Sequence, residues 1–502
     1  MHHLNIDLET FSSEPIGETG AFKYIESPDF EILLFAYSLN GAPVTVIDLA
    51  QGETIPPEIT AAVFSPDCIK HAYNAAFEWR CLSKYFGKAL PLEQWRCTML
   101  HGLYAGYTKG LDATGRALGL PEDRRKLNTG KALIRYFCCP CKATKANGMR
   151  TRNMPSHDLE KWKLFKEYNR RDVEAEMEIE RRLSAVTVPD FVQKEWETDL
   201  KINNRGVAVD MDFVNGALEI GSTTRNALIE EAVKITNLDN PNSVAQLQGW
   251  LENETGEEIE SLRKDTVAKM LTANDNSAEV QRMLEIRQEL GKTSTKKYNA
   301  IEKAICRDNR VRGLLQFYGA NRTGRWAGRL VQVQNLPRTY IEPLPLARTL
   351  VKERKADALR FVYGSVPDTL SQLIRTAFVA AEGNVLIDAD FSAIEARVIS
   401  WLAGEEWRLE VFRTHGKIYE ASASQMFGVP IELIKKGNPE YALRQKGKVA
   451  ELALGYQGGT SALITMGALN MGIPESDLPD IVHRWRDANR RIRDLWYAVD
   501  NA

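Results

Sequence analysis

Asp7 and Glu9 lie one residue apart on a short apolar strand, Leu4-Asn5-Ile6-Asp7-Leu8, at the start of the chain. Residues i and i+2 of a strand share a face, so the pattern puts two carboxylates side by side. Like charges at that spacing repel, and a fold tolerates them when a cation sits between them. The next eighty residues are strand-rich. Residues 31–39 and 43–49 are apolar runs separated by Asn40-Gly41-Ala42, a strand–turn–strand signal. Ile69–Tyr73 reads as another strand and Ala75–Phe86 as a helix. Strands interleaved with helices predict an α/β domain around the acid pair.

At 502 residues the chain is long enough for about three domains of about 150 residues. Residues 121–155 are polar and basic, and a loop-rich segment is expected there. A Glu/Arg-rich amphipathic helix is predicted over 156–185, capped by Ser156-His157-Asp158. Thr187-Val188-Pro189-Asp190 breaks it and marks the first domain boundary. Helical periodicity dominates 191–305. Residues 321–340 are rich in Gly, Arg and Gln, and 385–391 (Val-Leu-Ile-Asp-Ala-Asp-Phe) predict an apolar strand with two embedded acids. Helices alternate with short breaks from there onward.

The net charge of −2 hides an uneven distribution. Residues 1–50 carry eight acids and one base, 101–150 ten bases and three acids, and 301–350 nine bases and three acids. Such runs are either solvated faces or footprints for an anionic partner. Seven cysteines, an odd number in a long chain, do not form a disulfide framework and point to a reducing, cytoplasmic setting. Cys138, Cys139 and Cys141 cluster without the two separated pairs of a zinc site. The uncharged stretch Leu452–Pro474 has the length of a membrane span, but its five glycines, Gln457 and Asn470 argue against a helix in lipid.

Two further acids join the first pair. Glu78 closes Asn74-Ala75-Ala76-Phe77-Glu78 at a strand-to-helix junction, and Asp172 ends Tyr168-Asn169-Arg170-Arg171-Asp172. The i, i+4 spacing puts Tyr168 and Asp172 on one helix face. Taken singly, Asp7 reads equally as a strand-end acid, Glu78 as a helix N-terminal acid and Asp172 as a partner for a neighbouring Arg. In this order and spacing the set resembles the DEDD family of 3′→5′ exonucleases, in its tyrosine variant. Glu78 departs from the Asp that many relatives carry. The resemblance implies a ribonuclease-H-like domain whose Asp7, Glu9, Glu78 and Asp172 hold two Mg²⁺ or Mn²⁺ ions. Tyr168 would orient the attacking water. Hard oxygen ligands suit those ions. The basic 101–150 stretch would guide single-stranded DNA.

A second set lies further along the chain. Asn321-Arg322-Thr323-Gly324-Arg325-Trp326-Ala327-Gly328-Arg329-Leu330 precedes Gln332-Val333-Gln334-Asn335-Leu336-Pro337. Asp388 to Arg397 runs from a strand into a helix, and Arg444, Lys448, Leu452 and Tyr456 recur every fourth residue as one helical stripe. A basic loop and an amphipathic helix with snorkelling cations are the plainer readings. In this order the segments resemble family A DNA polymerases of the phage-like DNA polymerase I type. Gly416–Val429, Asn242–Leu247 and Lys292–Tyr298 are similar to further parts of that family. The resemblance implies an α+β right hand with thumb (about 215–305), partial palm (about 306–400) and fingers (about 401–502). It follows an exonuclease domain at 1–185, within a polymerase region of 186–502. Asp390 and the carbonyl of Phe391 would bind two more metal ions. Glu395, Tyr419, Arg444, Lys448, Leu452 and Tyr456 would contact the incoming deoxynucleoside triphosphate, and Arg325, Gln334 and Asn335 the primer–template. Leu452 stands where the family usually has an aromatic.

The family's last motif, a metal-binding Asp beside a His, has no counterpart in the 46 residues after Tyr456, where His483 is followed by Arg484. The expectation is a DNA polymerase with proofreading exonuclease whose chain stops before that motif, with a separate C-terminal segment as a partner. The alternatives are an exonuclease with an incomplete polymerase region that binds primer–template, and one half of a split polymerase.

Overall fold

A computed structural model describes residues 2–122, 130–272, 276–292, 295–320 and 322–502. The chain forms two compact units, Met1–Leu386 and Ile387–Ala502.

The first unit is organised on a five-stranded sheet with order β3-β2-β1-β4-β5. β1 is His2–Phe11, β2 Glu31–Leu39, β3 Thr45–Asp48, β4 Cys68–Ala72 and β5 Trp95–Cys97. β1 pairs antiparallel with β2 and parallel with β4, so the acid-bearing strand is central and hydrogen-bonded on both edges. Asp7 lies opposite Ala36 and Glu9 opposite Leu34, and the register then slips so that Thr10 faces Ile32. Alternation splits the strand. Leu4, Ile6 and Leu8 enter a core with Ile59, Val63, Trp79 and Leu82. Asn5, Asp7 and Glu9 face the other way, towards the Leu159–Leu183 helix.

That helix is capped by Asp158, whose side chain accepts the Lys161 N–H at 3.0 Å. Its buried residues, among them Trp162, Phe165, Tyr168, Asn169, Asp172 and Glu176, recur at intervals of three and four. The first of them stack into an aromatic cluster with Phe11, Phe137, Leu133 and Leu34. Each such buried side chain contributes about 1.5–3 kcal/mol. This cluster seats the helix against β1 at the level of the acids. The cap, the periodicity and the break near Pro189 follow the sequence reading.

Two readings need correction. The expected loop over 121–155 contains a helix, Gly130–Phe137, whose Leu133 and Phe137 supply the apolar face that a composition count averages away. A Cβ on Gly130 would stand 2.0 Å from the Tyr168 ring, so only glycine allows this helix to start there. Residues 123–129 of that basic stretch lie outside the described residues. The expected strand over 385–391 does not form. Val385, Leu386 and Ile387 are 79%, 65% and 87% exposed. A strand exists only through its neighbours, and the nearby short strand Phe378–Val379 pairs with Val207–Val209 instead.

Beyond the sheet, the first unit is mainly helical through Ala304, with a core of Phe213, Tyr298, Leu370 and Ile374 among others. The second unit is built from helices, including Ile394–Ala403, Glu406–Thr414, Ile418–Phe427, Leu443–Leu454 and Leu478–Ala488. Val449, Leu454, Leu463, Ile481, Trp485 and Ile492 form its core. Among the described residues, no helix is long and apolar enough to cross a membrane.

Candidate metal centre and the Leu443–Leu454 helix

The strand and the long helix bring three of the sequence-predicted acids together. Ligand oxygens of Asp7, Glu9 and Asp172 all lie within 4.8 Å of one another. At an effective dielectric of about 20, each pair of charges at that distance repels by about 3 kcal/mol. The Asn169 amide offsets part of this, donating to Asp7 Oδ2 at 2.7 Å and to the Asp7 carbonyl at 3.3 Å. A hydrogen bond to a charged acceptor contributes about 1.5–3 kcal/mol, less than the summed repulsion.

Glu78 occupies the first turn of the Ala75–Tyr85 helix, which leaves the sheet from β4. It is buried, and burial followed by the nearby charge of Asp7 pushes its carboxyl well above the usual carboxylate range. It lies outside the tight trio. Its Oε2 is buried without a hydrogen-bond partner among the described residues. An acid in that state suits a cation ligand, because the ion supplies the missing partner. Oxygen-only donors fit Mg²⁺ or Mn²⁺.

Tyr168 is fully buried and stacks on Phe165. Burial, then the charges of Asp172, Glu9 and Asp7, push its hydroxyl pKa up. The phenol therefore keeps its proton beside the acids. The fold adds two residues that the sequence reading does not assign to the site. Asn169 sits between Tyr168 and Asp172, and its i, i+3 relation to Asp172 is the signal that points to it. Cys138 directs its thiol at Glu9 Oε2, 3.7 Å away, and burial and the Glu9 charge keep it protonated. That contact is tertiary and leaves no signal in the spacing.

The polar face continues along β1. Asn5 donates to Glu176 Oε2 at 2.8 Å, and Thr98 also bonds to Glu176, whose pKa burial raises to about 7. His71 pairs with Glu180 at 2.7 Å.

The predicted duplex contacts are exposed in the first unit. Arg325 lies in the connection of a two-stranded hairpin, Leu315–Gln316 with Ala327–Gly328. The next residue, Trp326, donates its indole N–H to Asp199 at 2.8 Å, tying the hairpin to the Asp190–Arg205 helix. Gln334 packs on Gly328, where a Cβ would stand 2.3 Å from its Oε1. Asn335 lines a cleft of about 840 Å³ with Lys264, Arg287, Lys292, Lys297 and Arg338. Asn321 lies outside the described residues.

In the second unit, Arg444 and Lys448 are half-buried and Leu452 exposed on the Leu443–Leu454 helix. Tyr456 does not continue the stripe. The helix ends at Leu454, and Tyr456 falls in the glycine-flanked turn that follows. Arg444 donates to Glu420 at 2.8 Å, and its guanidinium lies 5.5 Å from the Tyr419 ring centre. The structure thus joins Tyr419 to Arg444. Asp390, Phe391 and Glu395 are exposed, the first two on the segment without secondary structure and Glu395 in the first turn of Ile394–Ala403. Among the described residues, Asp390 joins no group of three metal-ligand side chains.

Comparisons with known proteins place these features in a family. Residues 218–496 match the family model described as DNA polymerase family A. Over all 502 residues the chain is 57% identical to the DNA polymerase of Bacillus phage SP02, covering 76% of that protein. It is 36% identical over 180 residues to the thermostable DNA polymerase I of Thermus aquaticus, a stretch covering 32% of this chain and 20% of the relative. The fold is similar, with a TM-score of 0.60 and 18% identity, to the POL domain of Pol1 from M. smegmatis in complex with DNA primer-template and dNTP. That likeness covers 100% of this chain and 75% of the other.

If Asn169 holds Asp7 for a cation, removing its amide loosens a ligand without removing one. Asn169→Ala is expected to weaken Mn²⁺ binding by about 10-fold or more, the usual effect of losing a group that orients a ligand. Titration followed by the electron paramagnetic resonance of free Mn²⁺ measures it. Wild-type affinity in the variant would contradict this role.

Proposed function

The chain belongs to DNA polymerase family A, and we propose that it joins template-directed nucleotide transfer with 3′→5′ removal of nucleotides from DNA. The polymerase assignment stands on the family match over 218–496 and the full-length likeness to a phage DNA polymerase. The proofreading assignment is carried by one observation, the convergence of Asp7, Glu9 and Asp172 within 4.8 Å on a central strand and its packed helix. The mixed sheet order with β1 at its centre agrees with a ribonuclease-H-like exonuclease domain over 1–185.

In the exonuclease, Asp7, Glu9, Glu78 and Asp172 would hold a pair of divalent cations, Mg²⁺ or Mn²⁺. Bound there, the pair supplies a nucleophilic hydroxide and stabilises the leaving oxygen of the phosphodiester. The protein's own part is positional. Asn169 fixes Asp7, and Cys138 faces Glu9. Tyr168 holds its proton and so acts as a hydrogen-bond donor rather than a base, orienting the water or the scissile phosphate.

In the polymerase, Arg444 and Lys448 would grip the triphosphate, since both cations project from the first turns of one helix. Tyr419 lies beside Arg444, and Leu452 and Tyr456, further along the chain, would face the base. Glu395 would exclude the 2′-hydroxyl, and Asp390 with the Phe391 carbonyl would hold the metal ions of nucleotide transfer. Arg325, Gln334 and Asn335 would contact primer–template, with the cleft lined by Lys264, Arg287, Lys292, Lys297 and Arg338 as the anionic backbone's path. Thumb, palm and fingers would occupy about 215–305, 306–400 and 401–502.

Replacing Asp7 and Glu9 together by Ala removes two of the four ligands. Hydrolysis of single-stranded DNA in Mg²⁺ is expected to fall by orders of magnitude, read on a 5′-labelled oligonucleotide. Unchanged hydrolysis would sink the proofreading assignment. For the duplex contacts, primer–template affinity should fall steeply with salt as counterions are released. Arg325→Ala should weaken duplex binding more than single-strand binding. Equal losses on the two substrates, measured by fluorescence anisotropy, would contradict a duplex role.

A further inference from the structure

Beneath the Leu443–Leu454 helix lies an ion pair with almost no contact with solvent. Arg408, from the Glu406–Thr414 helix, meets Glu451 through two N–H groups, one bond to Oε1 at 2.8 Å and the other to Oε2. Both side chains are buried, at 1% and 2% exposure. The remaining partners come from three more places. Ser400 Oγ accepts from Arg408 Nε at 2.7 Å, Asn489 Oδ1 accepts from the same guanidinium at 2.9 Å, and the Trp485 indole donates to Glu451 Oε1 at 2.9 Å. Thus Ile394–Ala403, Glu406–Thr414, Leu478–Ala488 and the turn after it all converge on one ion pair.

Stability does not account for such a pair. Taking two charges out of water costs more than most ion pairs return, and apolar side chains of similar volume often stabilise a core more. What the pair adds is direction. The rest of the helix's buried face is Gly447, Val449, Ala450, Ala453 and Leu454, small or aliphatic side chains with no directional bonds. Gly447 lets the backbone approach Tyr419, where a Cβ would stand 2.2 Å from the carbonyl oxygen. On this face the close approach at Gly447 and the bonds of Glu451 are what fix the rotation. Glu451 follows Arg444 by seven residues, close to two turns, so it lies almost under the same line of the helix. Any rotation that spared the apolar packing would break Glu451's bonds, and would swing Arg444 and Lys448 by the same angle.

We propose that Arg408 and Glu451 are positioning residues that set the rotation of the Leu443–Leu454 helix, so that Arg444 and Lys448 face the triphosphate together. The inference rests on the reading of that helix as the nucleotide-binding one. A second, exposed-side tie acts with it, the Arg444–Glu420 contact to the Ile418–Phe427 helix.

The test uses the full chain, titrated calorimetrically with deoxyadenosine triphosphate and Mg²⁺, with thermal unfolding followed in parallel. The double variant Arg408→Met/Glu451→Leu replaces the pair by apolar side chains. Measured well below its unfolding transition, it should bind the nucleotide about tenfold more weakly, since a small misplacement of binding groups is costly. A merely structural pair would move the unfolding temperature and leave affinity alone. Glu451→Gln, which keeps the shape and loses the charge, should weaken binding in the same direction by a smaller factor. Arg444→Ala serves as the reference. If Arg444→Ala is weakened while the double variant binds like wild type, the positioning role is overturned. If the double variant does not fold, wild-type affinity in Glu451→Gln overturns it instead. If Arg444→Ala itself binds like wild type, the nucleotide reading of the helix fails, and the positioning role with it.

Discussion

The repulsion among Asp7, Glu9 and Asp172 is the constraint around which the first unit is organised. Bringing these acids within 4.8 Å requires a central strand hydrogen-bonded on both edges and a long helix that cannot slide. The aromatic cluster of Phe11, Phe137, Trp162, Phe165 and Tyr168 supplies the packing that holds the helix down. Gly130 lets a neighbouring helix close over Tyr168, and Asn169 bonds the helix to the strand at Asp7 itself. The apolar and amide contacts oppose the charge.

The same logic of anchoring a working face through buried polar bonds recurs in the second unit with the sign reversed. There the helix that displays Arg444 and Lys448 is tied by a buried carboxylate, whose guanidinium partner comes from another helix. In the first unit, polar bonds hold acids that a cation would bridge. In the second, they hold cations that an anionic ligand would bridge. Each arrangement puts the ligand-facing groups on regular elements, whose side-chain directions are set by packing.

Much of this is legible in the sequence, for a definable reason. Strand alternation and helix periodicity are local, so spacing alone pairs Asp7 with Glu9 and Tyr168 with Asp172, and the cap and period locate the Leu159–Leu183 helix. Most of the failures are nonlocal. The run 385–391 opens with the apolar Val-Leu-Ile and closes on Phe, but pairing decides strand formation, and it lies outside any sheet and exposed. Tyr456 keeps a four-residue spacing past the point where Gly455 and the turn after it end the helix. Arg408 and Glu451 look like ordinary charges on amphipathic helices, and nothing 43 residues apart in the chain announces their contact. Cys138 is one of three clustered cysteines in the sequence, and only the fold turns its thiol towards Glu9.

The proposal that depends most on the first unit's architecture is a divalent metal centre among Asp7, Glu9, Glu78 and Asp172. Anomalous diffraction from crystals of the full chain soaked in Mn²⁺ tests it most directly. Anomalous density is expected between the carboxylates of Asp7, Glu9 and Asp172, with Glu78 turned towards it. Saturating Mn²⁺ with no density among these side chains would contradict it.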